Sequence, residues 1–316
     1  MEWITSPGII ALSITYSMSI TDIFMFAIRC LVQLETNIVS VERISEYSTM
    51  DNEREWRNEK GKSLTNWPSK GEIQFHNYST RYREGLDLVI NNLNVTIKGG
   101  EKVGLVGRTG SGKSSLAFGL FRMIEAAEGR ILIDDVDISE IGLHDLRSKI
   151  TIVPQDPVLF SSTDLSFNLS PFNEHTNEQI WEALEHSHMK DFVLNKLDNG
   201  LQTIVTEGGS NFSQGQKQLL CLTRALLRRS QIIVLDEMSS SVDQQTDQLI
   251  QETIRNEFTD STIIAIAHRI DTLLHYDRIM VMDQGNIIEF DTPANLLSNK
   301  ESAFYSLALD AELIKE

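Results

Sequence analysis

Eight residues, Gly107-Arg108-Thr109-Gly110-Ser111-Gly112-Lys113-Ser114, follow a short apolar run (Lys102–Val106) and open a stretch with helical spacing. Glycines at 107, 110 and 112 let the backbone turn tightly, so that successive amides can face phosphate oxygens. Lys113 would neutralise terminal phosphates and the Ser114 hydroxyl would ligate Mg²⁺, with the helix start adding a field that favours anions. The strand–loop–helix setting separates this G-x-x-x-x-G-K-[ST] run from a glycine-rich turn with a chance lysine. A dinucleotide fingerprint competes with it. Gly110 and Gly112 would be two of its three glycines, and Asp134 ends a strand about 20 residues on, where a ribose-binding acid would sit. Its third glycine position is Ser115, however, and it leaves Gly-Lys-Ser unexplained. The phosphate loop is the better reading.

A second chemical feature is Gln231-Ile-Ile-Val-Leu-Asp236-Glu237, an apolar strand ending in two carboxylates. A buried strand delivers such acids to the carboxyl edge of a sheet, where ligands bind. Asp236 would hold Mg²⁺ and Glu237 would orient and polarise an attacking water. Taken alone, an acidic pair after a strand is most often a turn or a helix cap. Beside a phosphate loop it becomes a hydrolytic pair.

The elements that must position these residues follow from patterning. Strand patterns begin at Ile73 and Phe75 and recur at Val89–Ile97, Lys102–Val106, Arg130–Ile133, Ile150–Val153, Ile232–Leu235, Ile263–Ala267 and Ile279–Met282. Helical spacing over Ser114–Ile124 and alternation of the two types thereafter predict a largely parallel sheet with helices on both faces. Each motif occurs once, so one nucleotide-binding unit is expected, over residues 71–316. Residues 48–70 are polar and unpatterned and read as a linker.

Residues 1–47 differ. No charge lies between Trp3 and Thr21, and apolar character resumes at Ile23. The length suits a membrane span of roughly 20 residues, but seven hydroxyl residues, Asp22 and Arg29 make a lone lipid-facing helix costly. One helix of a larger membrane bundle fits better than a buried helix of a soluble domain or a signal peptide, since no basic region precedes it. Leu31, Leu34, Ile38, Val41 and Ile44 then recur at helical spacing among charges, as in a helix leaving a membrane for water.

Composition sets outer limits. Hydrophobic residues at 41% and charged residues at 23% exclude wholesale disorder and a chain made of membrane spans. Lys and Arg number 28 against 45 Asp and Glu, a net charge of -17, which argues against nucleic-acid coats and anionic lipid surfaces. Two distant cysteines, Cys30 and Cys221, form neither a disulfide framework nor a zinc spacing.

With Lys113, Ser114, Asp236 and Glu237 in place, the chain from about Glu72 to Leu309 resembles the ATP-binding cassette family. Phe212-Ser213-Gln214-Gly215-Gln216 is similar to its signature motif, Gln155 to the Q-loop glutamine, Asp243 to the D-loop aspartate and His268 to the switch histidine. Tyr82 precedes the phosphate loop as the adenine-stacking aromatic does. Residues 99–110, 141–147 and 154–160 look like the second nucleotide-binding domain of the C subfamily, the multidrug-resistance-associated transporters. Residues 35–43 resemble the cytosolic extension of that subfamily's last transmembrane helix.

The resemblance implies a P-loop NTPase-type nucleotide-binding domain: a parallel sheet core, an antiparallel β subdomain and a helical subdomain, preceded by one long transmembrane-type helix. It implies ATP and Mg²⁺ as ligands, with Gly107 through Ser115, Tyr82 and Gln155 around the nucleotide. Ser114, Gln155 and Asp236 would hold the metal, and Glu237, His268, Lys113 and Gln155 would serve catalysis. Two domains pair head to tail in this family, so Ser213 and Gly215 would complete a partner's site, and Gln216 and Asp243 count among the nucleotide-binding residues the resemblance implies. The implied partners are a second nucleotide-binding domain and membrane domains, in a plasma or organelle membrane with this domain on the cytosolic side. The implied activity is export of amphipathic organic anions or conjugates driven by ATP hydrolysis. A module of the same fold that gates a channel without pumping, or a truncated chain without transport of its own, stand as alternatives. A cassette acting on DNA or ribosomes ranks lowest, because fewer than 60 residues separate Gln155 from Ser213 and no basic patch is present. The sequence departs from the family pattern at Gln214, in place of a glycine, and at Met238 and Ser239–Ser241, before Asp243. One membrane helix, moreover, cannot enclose a substrate path.

Overall fold

The computed structural model describes residues 6–50, 52–64, 66–238, 242–267 and 269–314. They form two units, divided between Arg54 and Glu55.

The first unit is a single helix, Pro7–Ser48, with proline in its first turn, where no backbone donor is required. It is long and apolar enough to cross a membrane, and none of its residues is buried. At 1.5 Å per residue its 42 residues extend about 63 Å, roughly twice a hydrocarbon core. Several of its hydroxyls bond back to the helix itself. Thr15, Ser19 and Thr21 donate to the carbonyls of Ala11, Thr15 and Ser17 at 2.9, 3.0 and 3.1 Å. In an apolar medium those polar groups therefore need no outside partner.

In the second unit, ten strands among the described residues form two sheets. Strands β1 (Ile73–Thr80), β2 (Ile90–Ile97), β4 (Ala126–Ile133) and β5 (Val136–Asp137) make an antiparallel sheet in the order β2-β1-β4-β5. Strands β3 (Lys102–Gly107), β6 (Ile150–Val153), β7 (Ile232–Asp236), β8 (Thr262–Ile266), β9 (Arg278–Asp283) and β10 (Asn286–Asp291) make the second, in the order β10-β9-β3-β8-β7-β6. Here β6, β7, β8, β3 and β9 pair in parallel, and β10 returns antiparallel to β9.

The central strands read as unbroken apolar runs because both faces are covered. Period two sorts them. Ile233, Leu235, Ile263, Ala265, Ile279 and Val281 join the core under the helices from Leu165 onward. Their neighbours Ile232, Val234, Ile264, Ile266, Met280 and Met282 pack with the antiparallel sheet and the helix Lys113–Leu120.

Three local features differ from the sequence expectation. The helix after the phosphate loop ends at Leu120 rather than Ile124. Arg122 turns into a left-handed conformation and sends its guanidinium inward, donating at 2.8 Å to the carbonyls of Ile138 and Ile141. Satisfying those buried carbonyls outweighs four more helical residues. Strands β5 and β10 were not foreseen, and both close hairpins through two residues with positive φ, Asp134-Asp135 and Gln284-Gly285. Between residues 48 and 70, a short helix spans Glu59–Ser63 and Trp67 is buried, its Nε1 donating to the Ile133 carbonyl at 2.9 Å.

Candidate functional site

The phosphate loop runs from the end of β3 into the helix Lys113–Leu120. A side chain at Gly107 would collide with the Met282 carbonyl of β9, so this turn admits only glycine. Gly112, at φ 105°, starts the helix without any side-chain cap. The first-turn amides are thus left open, the arrangement that receives an anion. Ser111 is buried, and its backbone ties the loop down: its N–H donates to Arg108 O at 3.1 Å and its carbonyl accepts from Gly285 N at 3.0 Å.

Lys113 is buried to 6% exposure, and its Nζ donates to the carbonyls of Gly107 at 2.7 Å and Arg108 at 3.2 Å. Burial pushes its ammonium below the usual lysine range, and the Glu237 and Asp236 carboxylates pull it partly back. Ser114 is exposed beside it. Ser115 is buried and its hydroxyl shares a 2.9 Å hydrogen bond with the Tyr82 hydroxyl. It therefore steadies the aromatic ring. Tyr82, Val89, Thr109, Gly110, Gly112, Lys113, Ser114, Ser115 and Glu237 together line one open cavity of about 270 Å³.

The acidic pair stands where the sequence placed it. Asp236 is the last residue of β7, and Glu237 follows with φ 44°, its N–H donating to Ile266 O of β8 at 2.9 Å. A non-glycine residue held in that region is a local strain, kept by the sheet on either side. The turn carries the Glu237 side chain to the cavity that Lys113 lines.

The remaining candidates sit apart from this cavity. Gln155 lies just beyond β6, exposed, with its carbonyl accepting from Gln218 Nε2 at 2.6 Å. Ser213 caps the helix Gln214–Arg228 in a closed capping box: Ser213 Oγ accepts from Gln216 N at 3.2 Å, and Gln216 Oε1 accepts from Ser213 N at 2.9 Å. A side chain on Gly215 would stand 2.9 Å from Thr246 Cγ2, so glycine there permits two helices to meet. Asp243 caps the second of these, Gln244–Glu257, accepting from Thr246 N at 3.0 Å and Thr246 Oγ1 at 2.8 Å. Those bonds, the backbone one foremost, hold its carboxyl below the usual range. Gly107, Arg108 and Thr109 also line a neighbouring cavity with Ala267, Ile270 and Leu307. His268 and Ser239–Ser241 lie outside the described residues.

Asp134, the acid of the competing dinucleotide reading, is already occupied. Its carboxylate accepts from the backbone amides of Ser69, Lys70, Gly71 and Glu72. Burial opposes its ionisation, but the Lys70, Glu72, Gly71 and Ser69 amides together hold its carboxyl below the ordinary range. Sequence reading passed over two other features. Gln218 is a buried amide on the signature helix, visible in the sequence only as a polar residue ahead of the apolar run Leu219–Leu222. Asp247 is buried and pairs with Arg269 at 3.1 Å, beside the switch position.

A polyphosphate and a hard divalent cation fit the residues present. Uncapped amides, a desolvated lysine, an exposed serine hydroxyl and two carboxylates meet at one sheet edge. Among the described residues no set of three His, Cys, Asp or Glu forms a metal cage. A cation held here would complete its shell with phosphate oxygens and water, as Mg²⁺ does and as zinc in a structural site does not.

Comparison with known proteins bears on the family of this chain. The ABC transporter family profile matches residues 90–240. The chain is 56% identical over 309 residues to multidrug resistance protein mrp-7 of Caenorhabditis elegans. It is 52% identical over 311 residues to metal resistance protein YCF1 of Saccharomyces cerevisiae, and 51% identical over 308 to human ATP-binding cassette sub-family C member 3. Each alignment covers 98% of this chain and 20% of the relative, so the chain spans about a fifth of their length. Among solved structures, a bacterial Atm1-family ABC exporter with ATP bound superposes with a TM-score of 0.72 at 31% identity, over 78% of this chain and 43% of that one.

Proposed function

Because this chain carries a nucleotide-binding domain of the ATP-binding cassette family, with C-subfamily transporters among its relatives, we propose that it is the MgATP-hydrolysing motor of a membrane exporter. The observation that carries the proposal is the cavity shared by Tyr82, Lys113, Ser114 and Glu237 at the uncapped start of a helix. Tyr82, half exposed at its edge, offers a ring face to a purine. The open first-turn amides of the helix Lys113–Leu120 receive phosphate oxygens, and Lys113 exchanges the Gly107 and Arg108 carbonyls for them. Ser114, Asp236 and Gln155 would hold Mg²⁺, which supplies charge neutralisation between the terminal phosphates. Glu237 orients a water in line with the terminal phosphorus and accepts its proton as the bond from water to phosphorus forms and the bond from phosphorus to the bridging oxygen breaks, with ADP leaving.

Ser213, Gly215 and Gln216 do not line the cavity that holds Lys113. This favours their service to a second domain, paired head to tail, whose nucleotide would meet the start of the helix Gln214–Arg228. The helix Pro7–Ser48 would be one span of the membrane domains, with the nucleotide domain on the cytosolic side. Amphipathic organic anions or conjugates are the proposed cargo. Relatives named for multidrug and metal resistance support a detoxifying exporter of this type.

The test is turnover of MgATP by the chain reconstituted with its membrane partner, wild type against Glu237→Gln. Removing the base lowers turnover about a thousandfold while MgATP still binds. Equal turnover in the two would remove Glu237 from the chemistry, and no turnover in either would remove the motor function.

A further inference from the structure

The helix Gln214–Arg228 faces two ways. Its N-terminus belongs to the motif proposed to complete the partner's site, while one side of it lies along the segment that carries Gln155. Three side chains of this helix, Gln218, Arg224 and Arg228, each donate to backbone carbonyls of residues 147–158. Gln218 Nε2 donates to Gln155 O at 2.6 Å and to Pro154 O at 3.4 Å. Arg224 Nη1 donates to Val158 O at 2.6 Å, and Arg228 Nη2 to the carbonyls of Arg147 and Ser148 at 3.1 Å. Two of these anchors continue elsewhere or stand at the far end of the helix. Arg224 also grips Asn168 O at 2.6 Å, and Arg228 reaches residues that precede β6.

Gln218 is different in three respects. It sits one turn from the capping box of Ser213, it holds the backbone of Gln155 itself, and it is 1% exposed. Its own Oε1 meets no donor among the described residues, so the amide is kept in place by its donor side. A buried amide on a helix face otherwise filled by Leu219, Leu222 and Ala225 costs free energy unless its hydrogen bonds serve it. What it holds is the peptide of a residue proposed to reach the metal.

We propose that Gln218 is a positioning residue that ties the Q-loop backbone to the signature helix, so that Gln155 in one nucleotide site and Ser213 in the other move as one body. The proposal rests on the reading of the site as a MgATP site and adds to it a mechanical link between two sites that share this chain. When MgATP draws Gln155 inward, the Gln218 amide carries the first turn of the helix with it. Without the amide the Q-loop still answers its own nucleotide, but the helix start no longer follows.

The test is hydrogen exchange on the full chain, wild type and Gln218→Leu, with and without MgATP. In the wild type, MgATP slows exchange in residues 154–158 and in residues 213–218 together. In Gln218→Leu the first response persists and the second is lost, and the Q-loop amides exchange about tenfold faster without nucleotide. Leucine keeps the volume but cannot donate. Gln218→Met also fills the volume without a donor and gives the same decoupling, so it serves if the leucine variant does not fold. A thermal melt shows whether each variant is folded. A purely structural role for Gln218 would loosen both segments while leaving their joint response intact, and that outcome overturns the tether. If MgATP slows neither segment in the wild type, the nucleotide reading falls and the tether falls with it. If it slows both equally in wild type and variants, the tether alone falls.

Discussion

Two helix starts in this molecule are built in opposite ways. The helix Lys113–Leu120 begins at a glycine with φ 105° and no side-chain cap, so its leading amides are open. The helix Gln214–Arg228 begins at Ser213 with both halves of a capping box in place, so two donors are already satisfied. Every helix start has four unbonded amides. The open one, with the buried Lys113 beside it, is where we propose that phosphates bind. The closed one is a stable structural end, and a phosphate meeting it finds a serine hydroxyl and the remaining amides. A third set of amides, those of residues 69–72, is filled by the chain's own carboxylate at Asp134. The three sets differ in what the chain itself supplies to them: no side-chain cap at the first, a capping box at the second and a carboxylate at the third.

Substitutions at the three places separate these roles. At the open start, Lys113→Ala removes the buried cation and weakens MgATP binding about a hundredfold, with little change in melting temperature, as titration with a fluorescent ATP analogue would record. Equal affinity would mean that the amides suffice without the lysine. At the internally filled set, Asp134→Ala strands four amides and lowers folding stability by about 2 kcal/mol without altering nucleotide affinity, measured by denaturant unfolding. The pH dependence has a definite sign, since the folded carboxyl lies below its ordinary value of 3.8. Its contribution is complete above that value and is lost as the pH falls through the lower folded one. Asp134→Ala should flatten that part of the acid-unfolding curve. At the closed start, Ser213→Ala removes one half of the box and costs about 1 kcal/mol. A loss of turnover larger than the loss of stability would show that the hydroxyl also serves a nucleotide.

Much of this was legible from residue spacing because the chemistry is local in sequence. The phosphate loop, its flanking strand and its helix occupy consecutive residues, and the two carboxylates end a strand that is apolar throughout. The parallel sheet was readable for the same reason: strands buried on both faces show as runs of Ile, Val and Leu. Other parts depended on partners distant in the chain. Arg122 ends its helix early to reach carbonyls 16 and 19 residues away. Gln218 is unremarked in sequence because its partners lie 63 and 64 residues earlier. Trp67, in a stretch with no periodicity, is held by the carbonyl of Ile133, 66 residues on. Strand β10 had a usable signal in Gln284-Gly285, a glycine hairpin turn between two apolar segments. Strand β5 had a weaker one in Asp134-Asp135, where both residues take positive φ without a glycine.

The helix Pro7–Ser48 runs 42 residues, and beyond Gly8 it contains neither proline nor glycine. Nothing in it marks a hinge. It is therefore a shaft with a fixed angular phase, in which the face turned by Phe24 sets the face turned by Ile44. One residue added at its middle would swing everything after it by about 100°, and a full turn would restore the phase while lengthening the shaft by about 5.4 Å. Insertions of one to four residues near Thr36 would thus change rotation and reach along this helix by separable amounts.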